Sequence, residues 1–242
     1  MKTVYVYILD TLADWELGHV LAELNSRRFF KTGAPEVKLV HVGASLEPVV
    51  SMGGISMTPD AVVDEIAVNE DSLLLLPGAD TWSEPKHASV IAKAGELLQA
   101  GGTVAAICGA TVALAQAGLL DTRRHTSNGK GFLEMFAPTY KGTACLEDTP
   151  AVSDGDLITA GATGSVHWTK RILERLEVMD EGALQSWSDY FTTGDTRHFF
   201  SLWETVNAGT CVGNGVLMMD DKIGAGHRQQ LGSKAQPCKT IT

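Results

Sequence analysis

Short apolar runs alternate with amphipathic stretches along most of the chain, and that alternation predicts its elements. Residues 4–9, Val-Tyr-Val-Tyr-Ile-Leu, read as a strand; residues 72–76, Ser-Leu-Leu-Leu-Leu, read as one buried on both faces of a parallel sheet. Leu17, Val20, Leu21 and Leu24 recur at helical spacing, which predicts a helix from Asp14 to about Phe30 with Asp14 as its cap. Pro35 precedes a second strand at 37–42, and residues 49–58 alternate around Gly53-Gly54 as a β-hairpin does, with Pro59 ending it. Val90, Ile91, Ala94, Leu97 and Leu98 give residues 87–100 one apolar helical face. A strand at 104–107 and a helix from Ala110 to a glycine cap at Gly118 follow. The pattern then predicts a short polar strand or loop at 123–128, a short helix at 132–136, and a turn at Asp154-Gly155 leading into a strand that ends at Ala160. Helices at 165–176, 182–191 and 196–206 complete the pattern.

Strands alternating with helices, with apolar central runs, mean a parallel sheet covered on both faces. Ligands bind such sheets outside the carboxyl ends of the strands. Glu16, Gly78, Cys108 and Gly161 each fall just past a predicted strand end and are expected to converge on one rim. Cys108 marks the junction of a strand with a helix. Its neighbours Ala105, Ala106, Gly109 and Ala110 are small enough for the sharp turn of a nucleophile elbow. The free N–H groups and dipole of the following helix would favour a thiolate there over a thiol. Glu16 is expected to hydrogen-bond the sulfur or move a proton. His125 and His167 follow the elbow near element ends and are candidate bases or binding groups, although no spacing rule fixes either beside Cys108. A cysteine on an apolar strand is also commonly an inert core residue, and a first-turn glutamate commonly a solvated one.

Composition narrows the classes. A chain of 242 residues suits one α/β domain, and a formal net charge of -10 argues against a nucleic-acid partner. No run approaches the ~18 apolar residues of a membrane span, and Met1-Lys2-Thr3 leads directly into the first strand without a secretory core. Cys108, Cys145, Cys211 and Cys238 form no Cys-x-x-Cys pair, so neither a metal site nor a disulfide framework is expected, and a reducing cytoplasm is the simplest setting. Asp10-Thr11-Leu12-Ala13-Asp14 after the first strand lacks the glycines of a dinucleotide fingerprint, and no cofactor is expected. From Ala208 onward glycines and polar residues dominate; residues 208–242 are expected to be a flexible tail beyond a single domain at 1–207.

Several stretches together resemble the PfpI/ThiJ superfamily of class I glutamine amidotransferase-like proteins. They are Asp14-Trp15-Glu16-Leu17, Leu76-Pro77-Gly78-Ala79, Ala106-Ile107-Cys108-Gly109-Ala110-Thr111, Arg124-His125-Thr126-Ser127-Asn128 and residues 191–200. The resemblance implies a flavodoxin-like three-layer sandwich around a mostly parallel sheet, a homodimer, Cys108 on the elbow with Glu16 bonded to it, and an anion pocket formed by Gly78, Ala79 and Gly109. It also exposes departures. Peptidase-like members carry a histidine directly after the cysteine, where this chain has Gly109. Where glyoxalase-like and hydratase-like relatives place a histidine, this chain has Ser127, with His125 two residues earlier. In an extended strand that offset is one same-face repeat, about 7 Å. His167 stands where relatives have an acidic–aromatic pair. Such superfamilies host many reactions on one fold. The expectation is a cysteine-dependent enzyme acting on a small carbonyl, amide or related substrate, of hydrolase, amidase or glyoxalase type. The alternative is a non-catalytic redox sensor or small-molecule-binding protein that uses the same oxidisable Cys108.

Overall fold

Uninterrupted apolar strands need both faces covered, and the chain meets that demand with a seven-stranded sheet flanked by helices. The computed structural model describes residues 1–208; the segment expected to be a tail lies, apart from Ala208, outside the described residues. In chain order the elements begin β1 (Lys2–Tyr7), α1 (Asp14–Ser26), β2 (Val37–Gly43), a two-stranded hairpin of β3 (Val49–Val50) and β4 (Ser56–Met57), and β5 (Ala61–Val62). They continue with β6 (Ser72–Leu76), α2 (Ala88–Gln99), β7 (Thr103–Ile107), α3 (Gly109–Gln116) and the short α4 (Phe132–Phe136). The last are β8 (Ala151–Asp154), β9 (Leu157–Ala160), α5 (Ser165–Leu176), α6 (Glu181–Thr193) and α7 (Thr196–Ala208).

The main sheet runs β5-β2-β1-β6-β7-β9-β8, parallel throughout except for the hairpin partner β8. Taken in chain order, its five central strands follow the 2-1-3-4-5 sequence of a flavodoxin-like doubly wound sheet. The strand order reverses between β1 and β6, where the loops after adjacent strands part and leave a crevice. Leu73–Leu76 on β6 and Val104–Ile107 on β7 are almost wholly inaccessible, which fixes the sheet's centre beneath that crevice. Helix α5 packs on β7, β8 and β9 and against α1, and α2 and α3 pack on β7.

Two boundaries differ from the sequence reading for physical reasons. Helix α1 stops at Ser26 because Arg27 turns left-handed at φ 54°, with its N–H on the Glu23 carbonyl. Asp14 does not cap α1. Ala13 holds the cap position, and the Asp14 carboxylate instead accepts bonds from Ser51 Oγ (2.5 Å) and Gly53 N–H (2.7 Å), which moors the β3–β4 hairpin to the helix start. Of the two forms expected for residues 123–128, strand or loop, the structure has the loop, with one isolated bridge joining His125 to Leu146.

Candidate active site

The turn from β7 into α3 forces Cys108 into a backbone conformation that side chains rarely adopt, φ 57° and ψ -123°. Holding a non-glycine residue there costs on the order of 1–3 kcal/mol, which the surrounding packing must offset. The elbow is locked from below. Cys108 N–H donates to Ala160 O (3.0 Å), and Cys108 O accepts from Thr111 N–H (3.1 Å) and Thr111 Oγ1 (2.6 Å). Thr111 has one hydroxyl proton and spends it on that carbonyl. The 2.6 Å contact with Ser127 must therefore run from the Ser127 hydroxyl to Thr111 Oγ1. Ser127 is thereby committed to holding the elbow.

Glu16, in the first turn of α1, is wholly buried, and its Oε2 accepts the Gly78 N–H at 2.5 Å. Gly78, just past β6, is where the parts converge. A methyl group built on it would lie 2.8 Å from Cys108 Cβ and 2.8 and 2.9 Å from the two Glu16 oxygens. Only glycine lets the carboxyl group, the sulfur's own carbon and the β6 loop meet. Glu16 Oε1 has no hydrogen-bond partner among the described residues, and neither does the Ala79 N–H. Gly109 completes this bare backbone: a methyl there would sit 3.0 Å from Ala79 O and 3.5 Å from Ala79 N.

Burial raises the Glu16 carboxyl above its ordinary range, opposed by its bond to Gly78 and its contact with Cys108. Burial also pushes the Cys108 thiol up to about 11, with the Asn128 amide and Gly109 N–H pulling down and the Glu16 charge pushing further up. Burial and the neighbouring carboxylate therefore oppose the thiolate that the helix end and the Asn128 amide favour. The two groups titrate as a pair sharing a single negative charge once one proton has left.

The sequence reading did not single out Asn128. Its Oδ1 accepts Ala162 N–H (2.8 Å), which orients the amide so that Nδ2 donates to Cys108 Sγ at 3.3 Å. The segment before it is pinned to β9 and its flanks. Thr126 N–H donates to Thr159 Oγ1 (2.9 Å), and Arg123 donates to Asp156 Oδ1 (2.5 Å). Trp15 Nε1 donates to Ala162 O at 3.3 Å, so the same residue is held from α1 as well. Gly161, next to it, lines a neighbouring cavity with Ser127 and Asn128.

The structure does not bring either histidine to the sulfur. His125 is fully buried, with Nδ1 2.6 Å from Arg123 O and Nε2 2.7 Å from Tyr140 Oη. A carbonyl only accepts, so Nδ1 carries the proton and Nε2 accepts from the tyrosine. Burial lowers its pKa and keeps the ring neutral. Such a histidine is a structural post. His167, on α5, lines a separate cavity of about 540 Å³ with Arg124, Lys170 and Arg171. Among the described residues, no group of three or more His, Cys, Asp or Glu side chains is arranged to hold a metal ion.

Above Cys108 opens a cavity of about 370 Å³ whose walls include Trp15, Met52, Trp82, Phe132 and Phe136. Met52 arrives on the hairpin tethered by Asp14, with its N–H on Leu12 O at 3.0 Å. The sequence reading placed Trp15 at a helix start, Met52 in a hairpin and residues 132–136 in a short helix, but drew none of them into the site. What could have marked them is the presence of apolar side chains at hairpin and turn tips, where polar ones are usual.

A strained cysteine at the strand-to-helix elbow of a flavodoxin-like sheet, with a buried carboxyl group at its side, defines a class of α/β proteins with a cysteine at the elbow position. The chain belongs to the DJ-1/PfpI family, whose pattern it matches over residues 2–175. It is 41% identical over 206 residues to a Bacillus subtilis protein named the uncharacterized protease YoaZ, covering 85% of this chain and 98% of that one. It is 33% identical over 178 residues to the B. subtilis uncharacterized protease YdeA, covering 73% and 84%. Among solved structures, a thiJ/pfpI family protein from Bacillus anthracis superposes with a TM-score of 0.82 at 41% identity, covering 86% of this chain and 99% of that one. The DJ-1 superfamily protein Atu0886 from Agrobacterium tumefaciens gives 0.69 at 29% identity, covering 81% and 100%.

Proposed function

We propose that this protein is a cysteine-dependent enzyme of the hydrolase, amidase or glyoxalase type, acting on a small carbonyl or amide through Cys108. One observation carries the reading: Cys108, in a strained elbow conformation, meets an oriented amide donor on one side and a buried carboxyl group with an unpartnered oxygen on the other, at the floor of a cavity. In the proposed step the sulfur attacks the carbonyl carbon and its proton passes to Glu16. The carbonyl π pair moves onto the oxygen, which rests against the Ala79 and Gly109 N–H groups. A carboxylate whose pKa burial has raised is a better base for that proton than an exposed one. Once Glu16 holds it, the charge that opposed the thiolate is gone. The names of the two B. subtilis relatives support a hydrolytic reaction.

A second reading has its own support. No histidine among the described residues bonds the sulfur, and the donors around it would equally hold a cysteine sulfinate formed with two equivalents of peroxide. Wild type and Cys108→Ser are to be incubated with methylglyoxal, simple amides and hydrogen peroxide, following turnover and intact mass. Turnover abolished by the substitution supports the enzyme. A stoichiometric gain of two oxygens without turnover supports the sensor and overturns the enzyme. A Cys108 that resists both alkylation and oxidation overturns both.

A further inference from the structure

The walls of the cavity above Cys108 define what can enter it. Trp82 has its only polar atom tied up, Nε1 donating to Pro77 O at 2.9 Å, and so offers the cavity carbon alone. Its Cδ1 lies 3.4 Å from where a methyl on Gly109 would project, beside the backbone that faces the sulfur. Phe132 and Phe136 form a tilted ring pair, centroids 5.0 Å apart, in the same lining. Trp15, Met52 and Phe136 are about half exposed (53%, 45% and 51%) and rim the same opening, an arrangement that leaves apolar surface in water until something covers it. Charge is as one-sided as polarity. Among the described lining residues Asp80 is the only charged one; Glu16 lies behind the sulfur, and no Lys, Arg or His lines the cavity. An anionic substrate would meet two carboxyl groups and no counter-charge.

We propose that, within that class of small carbonyls and amides, this site favours a neutral electrophile bearing an aryl or bulky alkyl group over polar and anionic ones. The inference rests on Cys108 being the nucleophile. The aryl group would pack on the rings of Trp82, Phe132 and Phe136 that line the cavity, with the electrophilic carbon toward Sγ.

The test is alkylation of the full chain by three reagents that share one chemistry: iodoacetamide, N-phenyl iodoacetamide and iodoacetate. In each the Cys108 sulfur forms a bond to the methylene carbon, the carbon–iodine bond breaks, iodide departs and the thiol proton goes to buffer. Each second-order rate at Cys108, assigned by peptide mass, is divided by the same reagent's rate with glutathione to remove intrinsic reactivity. The anilide's ratio is expected to exceed that of iodoacetamide on the order of tenfold or more, the discrimination an apolar pocket typically gives, with iodoacetate lowest. Trp15→Ala and Phe136→Ala, both at exposed positions, should each lower the anilide preference several-fold. Equal ratios, or iodoacetate fastest, overturn the substrate class while leaving Cys108 a nucleophile. Failure of all three to label Cys108 overturns the nucleophile itself, and the substrate class with it.

Discussion

Asn128→Ala removes the hydrogen bond that Cys108 Sγ receives from the Asn128 amide. The amide donates to the sulfur at 3.3 Å, and its other end is fixed by Ala162 N–H at 2.8 Å, so it is already aimed before any proton leaves. A hydrogen bond to a charged partner contributes about 1.5–3 kcal/mol. Asn128 is solvent-exposed, so the lower end applies: about 1.5 kcal/mol, a little over one pKa unit. The bond stabilises the thiolate more than the thiol, so its loss moves the Cys108 titration further up from about 11. At any pH well below that midpoint the thiolate fraction, and with it the alkylation rate by iodoacetamide, should fall about tenfold. The assay is that rate at Cys108 from pH 6 to 10 in wild type, Asn128→Ala and Asn128→Asp. Asp keeps the acceptor for Ala162 but puts a carboxylate where the donor stood, and should fall below Ala. Coincident pH profiles for the three proteins would refute the reasoning, because an amide that tunes nothing is merely adjacent to the sulfur.

The other expectations follow from the same geometry. Glu16→Gln keeps an acceptor for Gly78 N–H but removes the charge beside the sulfur. Its alkylation profile should move to lower pH while turnover on a carbonyl substrate falls; both rising together would deny Glu16 any proton-carrying role. Gly78→Ala forces a methyl to within 2.9 Å of three atoms of the site. Such overpacking costs about 1–3 kcal/mol, or roughly 2–4 °C in Tm per kcal/mol, and should slow Cys108 alkylation as well; an unchanged Tm and rate would contradict the convergence. His87 and His125 are buried and neutral, with pKa values held below the ordinary 6.5. The unfolded chain therefore binds protons that the folded one refuses, and stability is lost as pH falls below about 6.5, by up to about 1.4 kcal/mol per pH unit for each histidine. Urea midpoints at pH 7.5, 6.0 and 5.2 measure this, and a midpoint that does not fall would contradict it.

Sequence made the sheet legible because its evidence is local. Leu73–Leu76 and Val104–Ile107 are buried strands on composition alone, and small residues around Cys108 mark a sharp turn without reference to anything distant. Glu16 was legible for a related reason, since it stands two residues into a helix that must start at the carboxyl end of β1. What the pattern could not carry was the path of loops. Asp14 resembled a cap because aspartate at a helix start usually is one, yet a hairpin 37 residues away supplied better donors.

The segment 123–128 shows most clearly where local inference ends. Read as an extended strand, His125 and Ser127 share a face, and a histidine one repeat from the expected position remains within reach of the sulfur. That step assumes regular alternation, which a ladder of neighbours must enforce. Here the ladder is a single bridge, His125 to Leu146. Freed from alternation, each side chain went where its own bonds are best: His125 inward to Tyr140 and the Arg123 carbonyl, Ser127 to Thr111, and Asn128 out to the sulfur. The group next to Cys108 is consequently an amide, which donates a hydrogen bond but does not take up a proton at neutral pH. In the proposed reaction proton transfer therefore falls to Glu16, the titratable side chain set against the sulfur among the described residues. A base buried beneath the nucleophile, rather than one placed across the cavity, leaves the apolar walls of that cavity free to choose the substrate.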